Sequence, residues 1–242
     1  MNREHHLRHT LMEKHRVEKI SQIRELIFGV QDGLLGTLGV VTGVASAFGS
    51  RHIVLVAGVA GGFAGSISMT VGSFLASQAE RQVHLAEIAK EKEAVVNVPQ
   101  EEEEELRFLF MADGMPEQDA KEVVKKLARS PEAFMNTMVQ KELGIEPEPA
   151  GAPGRDAILV GVSYIISAVI PLVPYVFFTG YMAMGISVGA TLITLFGIGV
   201  VKGKVADLPY VASGLQIMLA GAASGIGGYL LGTWLPHLLG IK

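Results

Sequence analysis

The chain predicts an all-α membrane protein: five transmembrane helices, with a cytoplasmic three-helix insert between the second and third. Three observations predict it. Charged side chains are missing from four stretches of 18, 27, 45 and 29 residues (33–50, 53–79, 157–201 and 208–236). A hydrophilic segment carrying the run Glu101-Glu102-Glu103-Glu104-Glu105 divides the second stretch from the third. Lys and Arg are spread very unequally between alternate loops.

A helix needs about 20 apolar residues to cross the hydrocarbon core. The first stretch becomes a full span when Leu26 to Gln31 are added, which embeds Asp32 in it. The second is a span by itself. The 45-residue stretch holds two spans joined by a turn near Gly180-Tyr181, and 208–236 makes the fifth. A soluble helical core is the alternative, but its helices need a polar face, and 45 residues without a charge offer none. The organisation is a polar arm (1–24), spans one and two (25–79), a Glu-rich domain (80–145), a Pro/Gly linker (146–156) and spans three to five (157–238).

Positive charge sets the orientation. Residues 1–25 carry six Lys and Arg, residues 80–156 carry ten, and Lys202 and Lys204 follow the fourth span. Only Arg51 and Lys242 fall on the other side. The N-terminus and insert are therefore expected in the cytoplasm. Glycines crowd the second span (Gly58, Gly61, Gly62, Gly65) and the last (Gly221, Gly225, Gly228, Gly232), at spacings that let helix backbones approach. Pro171 and Pro174 predict a kink in the third span.

Composition removes several functions. Net charge is −4, without the basic face a nucleic-acid partner needs. With no cysteine, disulfides, thiolate metal sites and a Cys nucleophile are excluded. Residues 1–21 lack the apolar core of a signal peptide. No H-E-x-x-H or G-x-S-x-G occurs, and Gly199 to Lys204 lacks P-loop spacing, so no enzyme is expected. A haem subunit needs histidines within spans; His5, His6, His9, His15, His52, His84 and His237 lie outside them or at their ends. The histidines of the arm could collect metal, or simply belong to an amphipathic terminus at the membrane surface.

The insert is the acidic part. No Gly or Pro interrupts 73 to 96, so the second span should continue as one helix until Asn97-Val98-Pro99. On it Glu80, His84, Glu87 and Glu91, spaced 4, 3 and 4, form one stripe. A second helix starts near Gln100, and Glu102 and Glu105 share a face of it. After the turn at Asp113-Gly114, helices are expected over 116–129 and 131–143, the last bringing Met135, Met138 and Glu142 to one face. Facing glutamates on short helices suit Fe²⁺ or Mn²⁺, and a thioether adds a softer donor. A charge run is also what a solvated helix face looks like, and that is the reading for Glu103 and Glu104. For Glu91, Glu102, Glu105 and Glu142 both readings stand. The segment's net charge of −8 gathers cations in either case.

Asp32 sits within Phe28-Gly29-Val30-Gln31-Asp32-Gly33-Leu34. An acid at membrane depth defaults to function, unless it lies near the interface and snorkels. Ser66, Ser68 and Met69 put hydroxyls and a thioether in the second span. Taken with Val30-Gln31-Asp32-Gly33-Leu34, Gly65-Ser66-Ile67-Ser68-Met69, Val98-Pro99 followed by glutamates, Glu142-Leu143-Gly144 and Pro171-Leu172-Val173-Pro174-Tyr175, the chain resembles the vacuolar iron transporter family of divalent-metal/proton exchangers from about residue 20 onward.

The resemblance implies a homodimer of five-span subunits, with a path near the dimer interface where Asp32 and Met69, beside Ser68, take the family's positions. It implies a cytoplasmic metal-binding domain whose ligands correspond to Glu91, Glu102, Glu105 and Glu142 with Met138; His84 and Glu87 extend that candidate set. Metal is then substrate, with no prosthetic group, and protons and membrane lipids are the other partners. Three positions depart from the family pattern: Gly61 and Ser73 stand where relatives carry acids in the second span, and Ala94 where a further metal-domain Glu is common. They bear on proton coupling more than on metal passage. The expected activity is export of Fe²⁺, or Mn²⁺, from the cytosol in exchange for protons. The competing reading is a membrane-anchored metal buffer or sensor. The compact length and the lack of eukaryotic sorting signals suggest a prokaryotic cell membrane, or the vacuolar membrane in a eukaryote.

Overall fold

In the computed structural model, residues 3–146 and 153–240 are described, with residues 3–21 and 153 as backbone only. The side chains of His5, His6, His9 and His15, and most of the expected linker, lie outside the described residues. The elements are all helices: α1 (Arg3–Phe48), α2 (Arg51–Asn97), α3 (Pro99–Ala112), α4 (Glu117–Leu127), α5 (Pro131–Lys141), α6 (Pro153–Phe177), α7 (Gly180–Val205) and α8 (Tyr210–Leu238). Five are long and apolar enough to cross a membrane: α1 from Gln22, α2, α6 from Gly154, α7 and α8. In hydrocarbon every backbone amide must be satisfied within its own helix, so charge-free runs of this length become continuous helices. The arm is continuous with the first span in α1.

The chain divides into two compact units, Met1–Phe74 with Pro153–Lys242, and Leu75–Ala152. In the first, α1 packs on α6, α8 and α7, and α7 packs on α6 and α8. Leu34, Leu38 and Val41 of α1 are fully buried, as are the neighbouring Thr37 and Thr42. Missing side chains make the approach possible. A methyl on Gly29 or Gly33 would overlap Ser163 or Ser167 of α6 and the carbonyls of Val160 or Tyr164. Close backbones then admit hydroxyl ties between spans: Ser66 Oγ donates to the Gly161 carbonyl (2.8 Å), Ser224 Oγ to Leu35 (2.7 Å) and Ser187 Oγ to Pro171 (2.6 Å). Without a hydrophobic drive between helices in lipid, such packing and hydrogen bonding hold a bundle together. The α6–α7 turn falls where the sequence placed it, at Gly180, in the left-handed region (φ 62°).

The second unit has its own core: Leu106, Val124, Phe134 and Met138, flanked by Val95, Phe110 and Leu127. Pro99 and Pro131 open α3 and α5, where a missing amide is harmless. Ser130 Oγ caps α5 by accepting from the Ala133 amide (3.4 Å). Lys141 pairs with Asp113 and lies over the Phe110 ring, 5.1 Å from its centroid, fastening the end of α5 to the end of α3.

Candidate metal centre and intramembrane acid

Three glutamates converge in the second unit. Each lies one helical turn from a residue of the core just described: Glu91 before Val95 on α2, Glu102 before Leu106 on α3, and Glu142 after Met138 at the C-cap of α5. Residues four apart share a helix face, so the faces that carry Val95 and Leu106 also turn Glu91 and Glu102 inward, while Glu142, one turn past Met138, stays exposed at the rim. Val98 alone separates α2 from α3, and its carbonyl accepts from the amides of Glu101 (3.0 Å) and Glu102 (3.2 Å). That sharp reversal sets Glu91 against Glu102. One carboxylate oxygen of each of the three lies within 4.8 Å of the others.

Glu91 and Glu102 are each only 7% exposed, and Glu91 Oε1 and Glu102 Oε2 are buried with no hydrogen-bond partner among the described residues. Burial pushes the Glu91 carboxyl up to about 8, with the neighbouring Glu142 and Glu102 adding to the rise. Glu102 is raised too, first by burial and then by the charges of Glu105 and Glu142. Three carboxylates this close cannot all ionise alone. They require protons or a cation. Carboxylate oxygens without thiolate or imidazole suit a hard or borderline divalent ion.

The other candidates are placed differently. Glu105 is exposed one turn beyond Glu102 and acts on it through charge. Glu87 is held in an ion pair with Lys90 (2.7 Å), and His84 is half-buried on α2, before the helix reaches its core contact at Val95. Met138 is fully enclosed in the apolar core beneath the carboxylates.

In the first unit Asp32 is half-buried on α1, Met69 half-buried on α2 and Ser68 exposed. Among the described residues none of the three makes a hydrogen bond or ion pair. Tyr164 of α6 is 6% exposed. Its hydroxyl lies between α1 and α2: a methyl on Gly36 would come within 2.9 Å of it, and one on Gly65 would overlap it. Thr37 Oγ1, a little over one turn beyond Asp32, is buried and without a partner. Sequence reading missed both Tyr164 and Thr37, because a single hydroxyl in an apolar run looks like helix filler. At Gly61 a Cβ would meet only the Val40 methyls at 3.8 Å, so the position has room for a side chain.

The model of the VIT family matches residues 23–233, which span the intramembrane acid and the carboxylate cluster. The chain is 34% identical over 209 residues to vacuolar iron transporter 1 of Oryza sativa subsp. japonica, covering 86% of this chain and 82% of that protein. It is 32% identical over 217 residues to vacuolar iron transporter 1 of Arabidopsis thaliana, covering 89% and 86%. Against the vacuolar iron transporter of Plasmodium falciparum (isolate 3D7) identity is 29% over 238 residues, covering 93% and 86%.

Proposed function

Because the chain belongs to the VIT family, we propose that it is an integral membrane transporter that exports Fe²⁺, or Mn²⁺, from the cytosol in exchange for protons. The observation that carries the metal is the cluster of Glu91, Glu102 and Glu142, two of them buried and raised in pKa without a donor to satisfy them. Iron and transport come from the relatives, which are named as vacuolar iron transporters. The direction rests on Lys and Arg placement, which assigns the N-terminus and the insert to the cytosol.

In this reading the insert captures the ion through Glu91, Glu102 and Glu142, with Glu105, Glu87 and His84 adding to the local field and Met138 beneath. Asp32, Ser68 and Met69 carry it through the spans. Asp32 binds either a proton or the dication, and that competition couples the two ligands. Val56, Val59, Phe63 and Ile67, spaced 3, 4 and 4 on α2, give that span an exposed apolar face for lipid or for the second subunit of a homodimer. In proteoliposomes Asp32→Asn reduces Fe²⁺ uptake to the level of protein-free vesicles. Uptake at the wild-type rate in that variant removes Asp32 from the mechanism.

One feature favours a second reading, a membrane-anchored metal buffer. All three carboxylates of the cluster belong to the second unit, so binding alone does not need the spans. Flux, rather than binding, separates the two.

A further inference from the structure

The threonines described within the spanning helices behave alike, with one exception. Thr42, Thr70, Thr191, Thr194 and Thr233 each donate to the carbonyl four residues back, at 2.7 or 2.8 Å. That return bond satisfies a hydroxyl on a helix without outside help. Thr37 is 2% exposed and makes no such bond; its Oγ1 is buried without a partner. Leaving a buried hydroxyl unmet costs stability, although the Gly33 carbonyl lies four residues back on the same helix.

Its position supplies an independent observation. Spans α1, α2 and α6 meet along a line that can be followed turn by turn. Asp32 stands one turn before Gly36 on α1, and Met69 one turn after Gly65 on α2. The Tyr164 hydroxyl occupies the space between Gly36 and Gly65. At the next level a methyl on Gly62 would stand 3.9 Å from Thr37 Oγ1 and 3.3 Å from the Cβ of Ala168, one α6 turn past Tyr164. Beyond that, a methyl on Gly58 would overlap Leu172 and come within 3.2 Å of Val41. Val41 and Leu172 belong to a buried apolar cluster with Val54 and Ala183. The line thus carries oxygens as far as Thr37 and is closed by hydrocarbon just past it. Leu172 lies between Pro171 and Pro174, which cannot donate to the carbonyls of Ser167 and Ile170, so this part of α6 bends more easily than an unbroken helix.

We propose that Thr37 Oγ1 is an oxygen ligand for the divalent cation in transit, the last one before an apolar gate made by Val41 and Leu172. The inference rests on the transport reading above and adds to it a waiting position and the point of closure. Turned toward the junction rather than to its own helix, the oxygen offers its lone pairs to an ion arriving from Asp32. A hydroxyl replaces one water of a hard or borderline ion, and an apolar constriction holds back both water and ion until it widens. The proline-flanked segment of α6 is where that widening takes least energy.

The test uses the full chain in oriented vesicles. Thr37→Val keeps the shape and removes the oxygen; the maximal rate of Fe²⁺ uptake falls about tenfold while the half-saturating concentration moves less than about twofold. Its thermal unfolding midpoint does not fall, because no satisfied hydrogen bond is lost. Thr37→Ser restores most of the rate. Leu172→Ala opens the gate and leaves uptake that survives a protonophore. The chain has no cysteine, so Thr37→Cys carries a single thiol. A membrane-impermeant thiosulfonate modifies it from the metal-entry side, and Mn²⁺ at about ten times its half-saturating concentration slows that reaction about tenfold. Where the unmodified chain transports, equal uptake in Thr37→Val, a lowered rate that Thr37→Ser does not restore, or Leu172→Ala uptake that still vanishes with the protonophore overturns the proposal. So does a thiol that Mn²⁺ does not protect. A protected thiol in a chain without gradient-driven uptake upholds the Thr37 site and removes the transport reading instead.

Discussion

The two acidic regions of this molecule solve opposite problems. In the Leu75–Ala152 unit three carboxylates crowd together at the edge of a small apolar core, and burial, reinforced by their mutual repulsion, leaves Glu91 and Glu102 favouring a proton or a cation. In the spans a single carboxylate, Asp32, stands half-buried with no ion pair, on a helix whose glycines let α6 come close. Crowding builds affinity, because an incoming dication relieves repulsion that the protein itself created. In the proposed mechanism isolation serves exchange, because one group in a poor solvent for charge can hold only one ligand at a time. A cluster tolerates the loss of a member; a lone acid does not.

Breaking the cluster gives the largest effect on binding. Glu91→Gln with Glu102→Gln removes two of three ligands, and equilibrium dialysis with Mn²⁺ should show affinity falling about 100-fold, on the order of one decade per charged contact. The double variant should leave Asp32-dependent flux measurable at high metal concentration. Equal loss of flux at all concentrations would show that the two regions do not divide the work in this way.

The next effect is pH. Metal must displace the proton that Glu91 holds up to about 8. Affinity measured by the same dialysis should therefore rise about tenfold per pH unit between 6 and 8 and level off above, as one proton is released per ion bound. Stability runs the other way in the metal-free protein. Native Glu91 binds its proton more tightly than the unfolded chain does, so the fold gains most below the ordinary carboxylate range. That gain is lost as pH climbs from about 4.5 to about 8. Thermal unfolding of the second unit without metal should thus fall across that window, and added metal should cancel the fall.

The smallest effect sharpens the floor of the cluster. Met138→Leu conserves volume in a core where Met138 is fully buried, so stability should change by less than about 1.5 kcal/mol. Dialysis with Mn²⁺ should give an unchanged affinity, whereas a clear loss would assign the Met138 sulfur to the metal.

Much of this was legible before the structure. Charge-free runs located the spans, because lipid leaves no alternative to continuous helix, and the uninterrupted 73–96 segment predicted that α2 runs on to Asn97. Glu91, Glu102 and Glu142 were on the candidate list, but through resemblance; spacing alone could not separate them from a solvated face. The stripe Glu80, His84, Glu87, Glu91 shows why. All four share one side of α2, yet only Glu91 stands one turn from Val95, where the helix enters its core. Periodicity assigns a face and says nothing about which turn of it meets a neighbour. Tyr164 and Thr37 were invisible for the same reason, since their surroundings depend on helices distant in sequence. The prokaryotic cell membrane rested on compact length and the lack of eukaryotic sorting signals, and relatives from plants and Plasmodium named for the vacuole give it no support.

The central claim is that metal crosses rather than only binds. The most direct measurement is Fe²⁺ entry into vesicles carrying the unmodified chain, with an acid interior imposed on an oriented preparation. The account predicts accumulation well beyond the number of protein sites, abolished when a protonophore collapses the gradient. Metal retained in proportion to protein, with no gradient-dependent excess over empty vesicles, would contradict it.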